Sequence, residues 1–122
     1  MECKELGAAR DPVLTNVPMV DKYIANATFL GVPFNDGHLR DESFGSTDFG
    51  NVSKVIPSIH PVFKIKADAP NHNAGFTKST FDPVNQLPTL NSAKSMAMTA
   101  IDIACEEELL AKIKEDFALS KQ

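Results

Sequence analysis

"PSIHPVFKIKA" occupies residues 57–67, and its reading decides the fold. Ile59, Val62, Phe63 and Ile65 are β-formers, while Pro57 and Pro61 delimit the run or push its first part out of regular pairing. It is the one convincing strand in a chain whose other periodic stretches are helical. A lone strand leaves backbone N–H and C=O groups without partners, which is costly where they are buried. At least three strands with a covered face are usually needed for an independently stable sheet. Two readings follow. Either the helices bundle by themselves and residues 57–67 are not a strand, or the segment belongs to a larger sheet whose other members lie outside this chain.

Upstream, "TNVPMVDKYIANATFLGVP" (residues 15–33) carries both helix-end signals. Thr15 or Asn16 can cap the first free N–H groups, and Pro18 suits the first turn. Val20, Tyr23, Ile24 and Ala27 recur at helical spacing, Gly31 suits a left-handed C′ position, and Pro33 forbids continuation. Residues 35–46 are polar and glycine-bearing, a loop. A short helix is expected over residues 49–55, with Asp48 as its N-cap. Downstream, "DAPNHNAGFTKSTFDPVNQLP" (residues 68–88) reads as a long irregular connection, of a length that is commonly functional or flexible. Thr89 or Asn91 then opens a helix with Leu90, Ala93, Ala97, Ala100 and Ala104 on one face, widened by Met96 and Ile101. A last helix is expected from about Glu106, with Leu109 or Leu110, Ile113 and Phe117 as its stripe. Residues 1–14 show no clear period and read as a tail, leaving residues 15–122 as the organised part.

The 122 residues fit one domain, with 43% apolar and 23% charged side chains, an ordinary soluble balance. A net charge of −4 argues against nucleic acid and against an anionic membrane surface, since both need cationic patches. No stretch approaches the ~18 apolar residues of a membrane span, and the charged N-terminus lacks a signal-peptide core. Cys3 and Cys105 lie near opposite ends without a CxxC pairing, so free thiols in a reducing, cytoplasmic setting are expected.

Three histidines, His38, His60 and His72, are candidates for catalysis or metal binding. No HExxH or Cys/His cluster accompanies them, so the residues alone write no self-contained zinc site. His38 stands in a polar loop and reads as solvated, and His60 as a core or ligand-facing imidazole. His72, just after the expected strand, is where α/β proteins place functional groups, though an exposed loop histidine satisfies the same pattern. "GSTDFG" (residues 45–50) has neither the Walker lysine nor GxGxxG spacing. It is a turn or one edge of a site.

"GSTDFGNVSKVIPSIHPVFKI" (residues 45–65), Asn71–His72, "AKSMAMTAIDI" (93–103) and "LLAKIKEDF" (109–117) together resemble the C-terminal part of the aminoacylase and carboxypeptidase-G metallopeptidases. The nearest branch is the aminoacylase-1-like dipeptidases of the β-alanyl-lysine type, and the p-aminobenzoyl-glutamate hydrolase subunits are similar too. The resemblance runs from about Asn16 to Leu119. It implies an α/β fold: the C-terminal part of a three-layer αβα zinc-exopeptidase-like catalytic domain, with the inserted lid domain, through which such proteins often homodimerise, absent. It implies hydrolysis of a dipeptide or an N-acyl amino acid by two divalent metal ions, zinc in the first place, with a neighbouring glutamate as general base.

By that resemblance His72 matches the family's last metal ligand, and Gly45, Ser46 and Thr47 match a turn that meets the substrate carboxylate. Asp48 caps the following helix. The remaining metal ligands and the general base match nothing here, so no catalytic residue is assigned to this chain. A C-terminal segment that is inactive alone is one expectation. A non-catalytic truncated isoform or interaction module keeping part of the fold is the other.

Overall fold

The computed structural model of the chain describes residues 9–33 and 47–121, and among them every regular element is helical. α1 spans Val17–Phe29, α2 Phe49–Ser53, α3 Ala74–Thr80, α4 Gln86–Cys105 and α5 Glu107–Leu119, with a 3-10 turn over Pro83–Asn85 leading into α4. α1 packs on α4 and α5, α4 packs on α5 and the 3-10 turn, and these helices hold the core.

α1 has the ends its sequence announces. The Asn16 side chain accepts from the Met19 N–H at 3.2 Å, and Pro18 stands in the first turn. Gly31 takes a φ of +74°, which a side chain would resist. From the expected stripe, Tyr23 and Ala27 are buried, and with Leu109 and Ile113 of α5 they are the buried apolar side chains among the described residues.

The expected strand over 57–67 does not form. The segment is extended but pairs with no other strand among the described residues. It is fastened at its two ends instead. The Ser58 carbonyl accepts from the Asn16 N–H at 3.0 Å, and Lys66 bonds the Asn85 side chain through both its N–H (2.7 Å) and its C=O (2.8 Å). Between them Val62, Phe63 and Lys64 are exposed, so among the described residues β-propensity finds no neighbouring strand to act on.

Further expectations are corrected. Residues 68–88 are not irregular throughout. Asn73 caps α3, its Oδ1 accepting from the Gly75 N–H at 2.7 Å, and α4 starts at Gln86, before Thr89 or Asn91. Pro88 is tolerated there because the first-turn N–H groups of a helix have no intrahelical acceptor.

α4 also buries a different face from the one its alanines mark. Ser92, Ser95 and Thr99 are buried, whereas Ala93, Ala97, Ala100 and Ala104 are exposed, with Leu90, Met96 and Ile101 beside them. Small hydroxyl residues let α1 approach closely, and each polar atom is bonded. Ser95 Oγ donates to the Asn91 carbonyl and Thr99 Oγ1 to the Ser95 carbonyl, both at 2.8 Å. The Tyr23 hydroxyl shares a 3.1 Å bond with Ser92 Oγ, and Asn26 Nδ2 donates to Thr99 Oγ1 at 3.2 Å and to Asp102 Oδ2 at 2.8 Å. No buried side-chain polar atom among the described residues lacks a partner.

Residues 9–14, set apart as a tail by their lack of period, lie across α2. The Asp11 N–H donates to Asn51 Oδ1 at 2.9 Å, Asn51 Nδ2 donates to the Ala9 carbonyl at 3.0 Å, and the Leu14 N–H donates to Ser53 Oγ at 2.8 Å. Gly50 makes this crossing possible, because a Cβ there would fall on the Asp11 carbonyl oxygen.

Candidate functional site

Of the three residues matched to a substrate-binding turn, Gly45 and Ser46 lie outside the described residues, as does His38. Thr47 is half-buried, and its hydroxyl accepts from the Phe49 N–H at 3.2 Å. It does the capping work expected of Asp48, which occupies the N-cap position of α2 without a side-chain bond. The Thr47 hydroxyl is therefore engaged in ending the loop and starting the helix.

Phe49 follows directly. Its ring stacks on His60 with centroids 4.9 Å apart and planes inclined by 26°. His60 is exposed, so it is neither the core imidazole nor a residue enclosed in a site. The same Phe49 ring lines a cleft of about 260 Å³ between the extended segment and the α1–α4 pair. Met19, Tyr23, Pro57, Ile59, Met96 and Ile103 supply most of its wall, and that wall is mainly apolar. A larger groove of about 370 Å³ separates α1 from α5 and carries Asp21, Lys22 and Lys112. None of Thr47, His60 and His72 lines it, and His72 lines neither cleft.

His72 stands on a tight loop just before α3. Its backbone is left-handed, with φ +60°, a conformation uncommon for residues with a Cβ though several-fold enriched for histidine. The loop closes on itself. A Cβ added to Gly75 would come within 2.9 Å of the Ala69 Cβ. The His72 side chain is exposed and makes no hydrogen bond or ring contact among the described residues. No group of three or more His, Cys, Asp or Glu side chains among the described residues could hold a metal ion. One imidazole does not make a zinc site, which takes about three or four protein ligands. The described residues thus do not by themselves fit a metal. Cys105 is exposed and unpaired, remote in sequence from the His72 loop.

A bidentate ion pair among the described residues lies away from these candidates. Lys22 Nζ meets both carboxylate oxygens of Glu106, at 2.8 and 2.9 Å. Glu106 ends α4 and opens α5, so the pair ties α1 to the α4–α5 corner. The hydrogen bond to Glu106 holds the Lys22 ammonium above its ordinary value of 10.5, with partial desolvation opposing.

Nearly all of this chain has counterparts in known proteins. It is 42% identical over 119 residues to the Xaa-Arg dipeptidase of Homo sapiens and 41% identical over 112 residues to that of Mus musculus. The chain is similar to Xaa-Arg dipeptidases. The two matches take in 95% and 90% of this chain but only 27% and 26% of the relatives, so the chain spans about a quarter of the length of the curated relatives it matches. A coverage of 95% is more than residues 15–122 supply, so part of the first fourteen residues aligns as well, in keeping with the bonds that residues 9–14 make to α2. No family model and no solved structure matches the chain. No helix among the described residues is long and apolar enough to cross a membrane.

Sequence reasoning missed the asparagines. Asn16, Asn26, Asn73 and Asn85 each bridge separate elements or start one, and only Asn16 stands out in the sequence, as a possible cap. One signal was available. Ser92, Ser95, Thr99 and Asp102 recur at the same helical spacing as the alanines, which marks a second, polar seam.

Proposed function

We propose that the chain is a segment of a metal-dependent dipeptidase of the aminoacylase and carboxypeptidase-G type, acting on dipeptides with a basic C-terminal residue. The observation that carries this reading is the 42% identity over 95% of the chain to a protein named for cleaving Xaa-Arg dipeptides. The resemblance to β-alanyl-lysine dipeptidases points to the same class of substrate, with N-acyl amino acids as the wider alternative. In this reading Gly45, Ser46 and Thr47 form the edge of the substrate site. His72 offers its imidazole to a divalent metal, zinc in the first place, whose other ligands and general base come from outside the described residues. The exposed side chain of His72, on a loop with a fixed left-handed turn, supports that role. The αβα sandwich belongs to the same proposal: residues 57–67 would join a sheet supplied elsewhere. The segment is cytoplasmic in this reading.

The test has two arms. The 122-residue chain, purified and supplied with zinc or manganese, is expected to hydrolyse neither Ala-Arg nor β-alanyl-lysine, since the described residues gather no three-ligand cluster. Joined to the remaining length found in its relatives, it is expected to do so, and His72→Ala is expected to abolish both turnover and part of the bound metal. Unchanged metal content and rate in that variant refute the assignment of His72. Metal-dependent turnover by the short chain, surviving further purification and lost on His72→Ala, refutes the incomplete-site reading.

A further inference from the structure

His72 is surrounded by solvent, yet the loop that carries it is fixed at both ends by one side chain. The Lys66 N–H donates to Asn85 Oδ1 at 2.7 Å, and Asn85 Nδ2 donates both to the Lys66 carbonyl at 2.8 Å and to the Ser79 carbonyl at 2.8 Å. Lys66 precedes His72 and Ser79 follows it. The two bonds to Lys66 close a ring of the kind that a paired β-residue makes, so the amide stands in for a strand neighbour. Both N–H donors are used, and Asn85 is 3% exposed. Its own position is set by the 3-10 turn: the Asn85 N–H donates to the Asp82 carbonyl at 3.0 Å, and the Asn85 carbonyl accepts from Thr89 Oγ1 at 2.8 Å at the start of α4.

We propose that Asn85 is the positioning residue of the His72 loop, a clasp that registers residues 66–79 against the first turn of α4. This rests on the functional reading of His72 but makes a claim that can be tested without it. The geometry favours a clasp over simple space-filling for two reasons. All three bonds go to backbone atoms, so they set the path of the chain whatever side chains flank it. They also act at both mouths of the loop, where a small error in path becomes a larger one at its tip. Inside the clasp, the close approach of Gly75 to Ala69 and the cap from Asn73 to Gly75 leave the chain little freedom to compensate. A functional side chain at a loop tip needs such support to hold its place to within a fraction of an ångström.

The experiment is amide hydrogen exchange on the full chain, comparing the wild type with Asn85→Ala and Asn85→Asp. In Asn85→Ala, amides between Lys66 and Phe81 are expected to exchange roughly 10- to 100-fold faster, as three bonds of ordinary net strength are lost. Amides in the middle of α1 and α5 should stay within about threefold of wild type. Asn85→Asp keeps the volume and the acceptor for the Lys66 N–H but has no donor for the Lys66 or the Ser79 carbonyl. The Lys66 amide should remain protected while α3 amides accelerate. Uniform acceleration across all helices in both variants overturns the clasp, and so does an unchanged pattern in Asn85→Asp, because volume alone would then suffice. If the pattern holds while His72→Ala leaves hydrolysis by the longer protein intact, the clasp stands and the role of His72 falls.

Discussion

Asn16 offers the sharpest test of how the helices are joined, because its two ends do different chemistry. It is 2% exposed. Its Oδ1 caps α1, while its Nδ2 donates to the Ile113 carbonyl and to Asp116 Oδ2, both at 3.0 Å. Asn16→Ala removes all three bonds. A lost cap costs about 1 kcal/mol and each lost buried bond a similar amount, more where the acceptor is charged, so a total of about 2–4 kcal/mol is expected. Asn16→Asp keeps the cap, since aspartate caps as well as asparagine does. It also sets a carboxylate against the Asp116 carboxylate and the Ile113 carbonyl. Two like charges about 4 Å apart repel by about 4 kcal/mol at an effective dielectric constant of roughly 20. The conservative variant should therefore be the less stable one at pH 7.

Acidification should reverse that order. In Asn16→Asp, repulsion between the introduced carboxyl group and that of Asp116 raises one of their two pKa values above its unfolded value of ~3.9, so the folded state takes up a proton more readily. The penalty is complete at neutral pH and shrinks as pH falls through the raised value. Urea unfolding followed by far-UV circular dichroism at pH 7 and pH 4 measures both effects. Should Asn16→Asp match or exceed Asn16→Ala in midpoint at pH 7, the assignment of Nδ2 toward Asp116 is refuted.

Gly50→Ala should cost about 1–3 kcal/mol, since the new Cβ would strike the Asp11 backbone, whereas Gly31→Ala meets open space and should cost only about 1 kcal/mol from its positive φ; urea midpoints separate the two. Ser95→Leu should destabilise by about 1–3 kcal/mol, because Ser95 is fully buried against α1, while Ala97→Leu on the exposed face should stay within about 0.5 kcal/mol, and equal costs would place the wrong face inside. The raised Lys22 pKa means that the Lys22–Glu106 contribution is complete below 10.5 and is lost as pH rises through the folded value. As pH rises through 10.5 and beyond, the wild type should therefore lose more stability than Glu106→Gln, and parallel curves would show that the pair contributes nothing.

The ends of α1 were legible because they rest on local chemistry. Asn16, Pro18 and Gly31 act within a few residues of themselves, and such signals survive any tertiary context. α5 was legible because Leu109 and Ile113 lie on one stripe at helical spacing and both are buried. α3 was hidden by its length. Seven residues with threonines and a glycine make no stripe, and Asn73 was the sole clue. The candidate site was less legible still. His72 could be picked out by its place in the sequence, but its left-handed backbone has no signal there, and the Asn85 clasp depends on atoms brought together from 19 residues away.

α4 and residues 57–67 misled the sequence reading in a shared way, and the shared cause bears on function. In α4 the hydrophobic rule selects the alanine face, yet that face is exposed and the hydroxyl face is buried. In residues 57–67 the β-rule selects a strand, yet the segment has no strand beside it among the described residues. A free-standing helical bundle gains nothing from either arrangement: it would turn the alanines inward and loop the chain between helices. Among the described residues, one feature presents an exposed apolar helix face and the other a run of exposed β-formers with no strand beside it. Such surfaces are what the proposal of a sheet supplied from outside this chain requires. The polar seam then has its own reason. Fully bonded serines and an asparagine between α1 and α4 hold those two helices in one register without drawing on the apolar surface, which stays available for whatever packs against it.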